Sequence, residues 1–264
     1  MGHSAHRAAW HHEGVRPRLD ALLQPPIAFA HRGARAHAPE NTIEAFQLAR
    51  RLGATGLESD VWLTADGQAV LDHDGVVGGR LRKRRINDVP RAELPSHIPT
   101  LDEFYDQVGV DLPLSLDVKD PEAALHAIAI ARDHHAEDRL WLCHPSWELV
   151  ATWRPLSDGI KLVDSTRIGA ISEGPERRAA ALRHAGIDAL NLHWRDWSGG
   201  LVTLVHRFER YALGWDAQFE RSLGELLDAG IDGVFSDHTD VMMEMLDRYY
   251  PNRAKGSGSA PPSP

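Results

Sequence analysis

Cysteine is nearly absent. Cys143 is the one thiol in 264 residues, so no intrachain disulfide can form, and the expected compartment is a reducing one. Long apolar runs are missing as well: no stretch approaches the roughly 18 residues of a membrane span, so no stable membrane insertion is expected. The opening residues MGHSAHRAAWHHEG lack the apolar core of a secretory signal, and the expectation is a cytoplasmic protein. Excess positive charge is also lacking. With 29 Lys and Arg against 38 Asp and Glu, the net charge of -9 excludes a general nucleic-acid binder. What is present is ample apolar material, 42% of residues, in a length that suits one α/β barrel.

Strand and helix patterns alternate along the chain. Residues 1–24 read as a polar arm, mobile or draped over the surface; its His3, His6, His11 and His12 have no evident folded context. Pro25-Pro26 marks a rigid entry to an apolar strand, Ile27–Ala30. Asn41 suits a helix N-cap with Glu44 three residues on, and Gly53 ends that helix. Gly56–Leu63 is the next strand, and Thr64-Ala65-Asp66-Gly67 reads as a hairpin turn carrying Val70 and Leu71 to His73. Six further strands are expected at 114–119, 140–143, 160–163, 188–193, 211–215 and 233–236, each followed by a helix. This is the pattern of a (β/α)8 or TIM barrel, an α/β single domain over residues 25–250, with a Gly/Ser/Pro-rich tail at 251–264 expected to be disordered.

Glu58 and Asp60 stand at i and i+2 of an otherwise apolar strand, so both carboxylates share one face. Two like charges side by side in a buried strand are costly unless a cation or protons neutralise them. Active sites of such barrels lie at the C-terminal ends of the strands, where Arg32, Asp60, His73, Asp117 and Lys119 all fall. Glu58, Asp60 and Asp117 make an all-oxygen donor set, which favours a hard divalent cation such as Ca²⁺ or Mg²⁺. Arg32 and Lys119 place two cationic side chains at the same end, suited to an anionic group. Arg80, Arg82, Lys83, Arg84 and Arg85 form a basic cluster, read as a solvated loop, with a clamp for an anionic substrate or membrane surface as the other reading.

His31-Arg32-Gly33, Pro39-Glu40-Asn41-Thr42, Glu58-Ser59-Asp60-Val61, Thr64-x-Asp66-Gly67 and His73-Asp74, in this order and spacing, resemble the signature of the glycerophosphodiester phosphodiesterases. Ile98–Glu103, with Thr100 as N-cap and Glu103 completing a capping box, also resembles that family. The resemblance implies the TIM-barrel fold and hydrolysis of small-molecule glycerophosphodiesters to glycerol 3-phosphate and an alcohol. It implies a metal on Glu58, Asp60 and a third-strand acid, usually Glu and here Asp117, one methylene shorter. His31 and His73 match the general acid/base pair, a role suited to imidazole near neutral pH. Glu40 either orients Arg32 or His31 or contacts the glycerol, and Trp215 walls the glycerol pocket or packs under a loop. His193 and Asp237 also fall at strand ends. Two other readings keep the scaffold: lysophospholipase D-like cleavage, with Trp194, Trp197 and Leu201 against an acyl chain, and a phosphate-ligand binder without catalysis.

Overall fold

Four residues with alternating faces begin the barrel: in β1 (Ile27–Ala30), Phe29 points to the axis while Ala28 and Ala30 point to the helical layer. The computed structural model describes residues 18–79 and 82–252. The arm histidines His3, His6, His11 and His12, Arg80 of the basic run, and the tail beyond residue 252 lie outside the described residues. After β1 come α1 (Ile43–Arg51), β2 (Gly56–Leu63), β3 (Ala69–Leu71), β4 (Val76–Val77), β5 (Arg84–Arg85) and α2 (Leu101–Val108). Strands and helices then alternate strictly: β6 (Leu114–Val118), α3 (Ala123–Asp133), β7 (Leu140–His144), α4 (Trp147–Thr152), β8 (Lys161–Thr166) and α5 (Pro175–His184). The chain ends with β9 (Ala189–His193), α6 (Gly199–Arg207), β10 (Tyr211–Trp215), α7 (Glu220–Asp228), β11 (Gly233–Ser236) and α8 (Thr239–Tyr249).

The strand order β1-β11-β10-β9-β8-β7-β6-β2 closes through a β1–β2 pairing, giving an eight-stranded parallel barrel with β3 added antiparallel to the far half of β2. Closure removes the two edges that an open sheet would expose. Inside, Phe29 stacks on Phe235 at 4.6 Å and meets Trp141 edge-on at 5.8 Å, with Val163, Ala189 and Leu213 completing the plug. Gly56 is required beside it, because a Cβ there would sit 2.6 Å from the Phe29 ring. Outside, alanine and leucine faces of the helices pack on outward residues such as Leu116, Leu142 and Leu190. Burial of these apolar surfaces is the main stabilising term of the fold.

Local signals position the elements with one exception. Thr100 and Glu103 form the expected capping box on α2, and Ser146 caps α4. The N-cap of α1 is Thr42, not Asn41. Asn41 takes φ +55°, accepts from Ser59 Oγ at 2.8 Å and donates to Asp60 at 3.4 Å, so its side chain is committed to β2. Residues 18–24 lie against the barrel: Leu19 N donates to Asp228 O at 3.0 Å, and Leu22 and Leu23 donate to Asp232. Among the described residues, no helix is long and apolar enough to cross a membrane.

Candidate active site

Inward-facing positions continue the alternation of each strand past the apolar plug, and there the side chains turn polar. His31 follows Phe29 by two, Asp60 follows Glu58, Asp117 follows Ser115, Ser165 follows Val163, Asn191 follows Ala189, and Asp237 follows Phe235. Together they line a cavity of about 490 Å³ at the C-terminal ends of the strands. Of the nine residues singled out from the sequence, His31, Arg32, Glu58, Asp60, Asp117, Lys119 and Trp215 line this cavity. Glu40 and His73 are not among its lining residues.

Parallel pairing of β2 with β6 sets Asp60 beside Asp117 and Glu58 beside Ser115. Burial pushes the Glu58 carboxyl up to about 7, the behaviour of an acid with too little compensating charge around it. It accepts a hydrogen bond from Arg32 N at 2.9 Å. Lys119 Nζ lies between the other two acids, 2.5 Å from Asp117 Oδ2 and 3.1 Å from Asp60 Oδ1. Burial alone lowers the Lys119 pKa, but the two carboxylates outweigh it and raise it. Oxygen-only donors with one under-compensated carboxylate fit a hard divalent cation, which Lys119 would compete with for Asp117. Arg32 Nε is buried, 3.3 Å from Asp60 Oδ2, and has no hydrogen-bond partner. An orphan guanidinium donor at a cavity wall suits an anionic ligand.

Arg32 adopts the left-handed φ +53°, and Gly33 follows at φ +79°, where a Cβ would meet the Ala45 backbone at 2.7 Å. Such strain is characteristic of functional loops. The turn sends the Arg32 side chain to Glu40 Oε1 at 3.1 Å, while Glu40 Oε2 pairs with Arg35 at 2.5 Å. Glu40 thus orients Arg32 and shows no contact with His31.

His31 Nδ1 is 2.5 Å from Asp237 Oδ1, and its Nε2 faces Glu58 Oε2 at 3.8 Å. Burial works to lower the imidazole pKa, but the Glu58 charge and the Asp237 hydrogen bond outweigh it and raise it. Burial likewise pushes Asp237 up, and the His31 hydrogen bond overcomes this to hold the carboxyl below its usual range. An imidazole oriented through Nδ1 presents Nε2 as its reactive nitrogen. His73 lies after β3, partly exposed, with Nδ1 2.9 Å from Asp74 Oδ1. Asp74 is held below the carboxylate range first by that hydrogen bond.

Several cavity residues carried no motif. Arg35 reaches Asp237 Oδ2 at 3.5 Å. Asn191 donates to Ser165 Oγ at 3.1 Å, while its Oδ1 is buried without a partner. Period-two extension of β8 and β9 from their apolar residues is the signal that points to both. His193 Nε2 donates to Asp216 Oδ2 at 3.0 Å, its Nδ1 accepting from Arg195 N, and the ring meets Trp215 edge-on at 4.7 Å, while the Arg167 guanidinium lies 5.4 Å from the Trp215 ring. Trp194 and Trp197 line a separate groove near α7, and Leu201 packs on the core, so none of the three reaches the cavity. Arg82, Lys83, Arg84 and Arg85 are exposed and also stand outside it.

Residues 31–241 match the Glycerophosphoryl diester phosphodiesterase family. A glycerophosphodiester phosphodiesterase of Caldanaerobacter subterraneus is 24% identical, the alignment covering 83% of this chain and 97% of that protein. A probable glycerophosphodiester phosphodiesterase 2 of Mycobacterium tuberculosis is 26% identical over 89% and 96% of the two chains. Among solved structures, an Oleispira antarctica phosphodiesterase in complex with the product sn-glycerol-3-phosphate superposes with a TM-score of 0.73 at 25% identity, covering 84% of this chain and 97% of that one.

Proposed function

Because the chain belongs to the glycerophosphoryl diester phosphodiesterase family, a family of phosphoric diester hydrolases, we propose that it cleaves glycerophosphodiesters to glycerol 3-phosphate and an alcohol. The observation that carries this reading is the cavity in which His31, held by Asp237, faces three acids and two cationic side chains. Glu58, Asp60 and Asp117 would hold a Ca²⁺ or Mg²⁺ ion, which supplies positive charge for a non-bridging phosphate oxygen. Arg32 and Lys119 bind the remaining anionic oxygens, and Glu40 and Arg35 fix the Arg32 guanidinium.

His31 Nε2 takes the proton of the attacking hydroxyl, and Asp237 stabilises the imidazolium that results. His73 donates a proton to the departing alkoxide, so the alcohol leaves neutral. The nucleophile is the substrate's own 2-hydroxyl, giving a cyclic phosphate that water then opens, with the same two imidazoles moving the protons in reverse. Trp215 walls the glycerol, and the orphan Asn191 Oδ1 accepts from a substrate hydroxyl.

A panel of glycerophosphodiesters assayed with EDTA, Ca²⁺ or Mg²⁺, on wild type and His31→Ala, tests the proposal. Expected is turnover only with a divalent ion and only with His31 present. Undiminished turnover in EDTA removes the metal role, and no turnover of any glycerophosphodiester under all conditions overturns the assignment. Full turnover of an analogue lacking the 2-hydroxyl replaces internal attack with direct attack by water.

A further inference from the structure

The loop after β1 and the start of α8 bring a second set of ligand types together on the barrel rim. Ala36 N donates to Asp237 O at 3.2 Å, and His37 N donates to Ala34 O at 2.8 Å, which folds the loop over the β11–α8 junction. There His37 Nε2 lies 2.9 Å from Asp240 Oδ1 in the first turn of α8. His238, at the N-cap position of α8, sets its ring 6.5 Å from that of His37 at 82°. One ligand atom from each of His37, His238 and Asp240 lies within 4.8 Å of the others. Among the described residues, this is the group of three or more His, Cys, Asp or Glu whose ligand atoms meet that closeness; the Glu58, Asp60 and Asp117 carboxylates do not form such a group.

We propose that His37, His238 and Asp240 bind a zinc-type divalent cation, at a site separate from the oxygen-only acids of the cavity. Two imidazoles and a carboxylate are the donor set of a borderline cation, whereas Ca²⁺ and Mg²⁺ prefer oxygen alone. Zinc bonds of about 2.0–2.1 Å to such ligands need neighbouring donors roughly 3.3–3.5 Å apart. Side-chain rotation alone covers the difference from the present separations, since His37 and Asp240 are exposed and His238 is half-exposed. The cation takes the place of the proton that His37 Nε2 donates to Asp240 Oδ1, the neutral imidazole then carrying its proton on Nδ1, and water completes the coordination. It staples the loop that carries Arg32, Arg35 and Glu40 to the residue that follows Asp237. The site stands independently of the catalytic reading, because none of its three ligands takes part in that chemistry.

Zinc chloride titrated calorimetrically into the full chain, with Ca²⁺ in excess to occupy oxygen-only sites, tests the proposal. The arm histidines offer further imidazoles, so the decisive quantity is the difference between proteins that share the same arm. Wild type is expected to bind one more Zn²⁺ than His37→Ala or His238→Ala, and Asp240→Asn to bind that ion about tenfold more weakly. Zn²⁺ is also expected to raise the thermal midpoint of wild type more than that of either histidine variant. Circular dichroism of each variant without zinc shows that the fold is retained, as expected for rim residues. Equal stoichiometry, affinity and zinc-induced thermal shift in all four proteins overturns the site and assigns any bound zinc to other imidazoles.

Discussion

At the N-terminal end of the barrel, Asp232 is fully buried and every part of its charge is used. Its Oδ1 accepts from Leu22 N at 2.6 Å and Leu23 N at 3.0 Å, and its Oδ2 accepts from Ala212 N at 2.7 Å and pairs with His206 Nε2 at 2.7 Å. At the C-terminal end, Glu58 is nearly as buried but accepts one backbone hydrogen bond and has an imidazole at 3.8 Å. Its carboxyl is pushed up to about 7 by that burial. The two ends bury the same functional group with opposite results. Where backbone amides converge on the acid it ties chain segments together; where they do not, its charge is left for a ligand.

The largest effect expected from breaking this contrast is at the cavity end. His31→Ala should lower kcat by about 10²–10⁴-fold while leaving the urea midpoint close to that of wild type, measured by steady-state assay and equilibrium unfolding. A small loss of activity would place the chemistry elsewhere. At the opposite end, Asp232→Ala strands three amides and an imidazole. The expected cost is about 2–4 kcal/mol of stability in urea, with the kcat of the folded fraction unchanged. If activity fell and stability held, the two ends would not divide their labour in this way.

Asp164 sharpens the contrast because it lies between these extremes. It is fully buried on β8 with Arg178 Nη1 at 2.7 Å, yet its Oδ1 has no partner, and burial raises its pKa from 3.8 to about 6. A carboxyl whose folded pKa exceeds its unfolded value contributes stability that is present below about 4 and lost as pH rises through about 6. Wild type should therefore lose roughly 3 kcal/mol relative to Asp164→Asn across that window in pH-dependent urea titrations. A constant difference between the two proteins would show that Arg178 compensates the charge fully. The smallest expected effect is Asn191→Ala. Removing one hydrogen bond to substrate should raise KM about 3–10-fold with kcat nearly unchanged, read from initial rates on glycerophosphodiesters.

Much of the scaffold could be read residue by residue. Apolar alternation placed β1, β2, β10 and β11 at their observed bounds, and Thr100 caps α2 as its position led one to expect. Helix starts are set by caps: α6 begins at Gly199, because the Ser198 cap draws two glycines into the first turn. Asn41 is the instructive departure. Its capping chemistry is real, but Ser59 and Asp60 claim the side chain and pass the cap to Thr42. In the cavity, the acids and the Lys119 charge were legible from strand parity and Arg32 from its place just past the end of β1, whereas Asn191 and Ser165 belong to no motif and come into view only when each strand's inward row is followed to its end.

By itself the sequence determined the alternation of strands and helices, and the shared face of Glu58 and Asp60, because both follow from backbone geometry over a few residues. Tertiary structure alone decided that Asp237 holds His31 across 206 residues of chain, and that Lys119 settles between Asp60 and Asp117. It likewise decided that His37 meets His238 and Asp240. The His31 and His37 pairings exist because closing the sheet brings β1 beside β11, and that of Lys119 because β6 pairs with β2; no local propensity encodes which distant strand will become a neighbour.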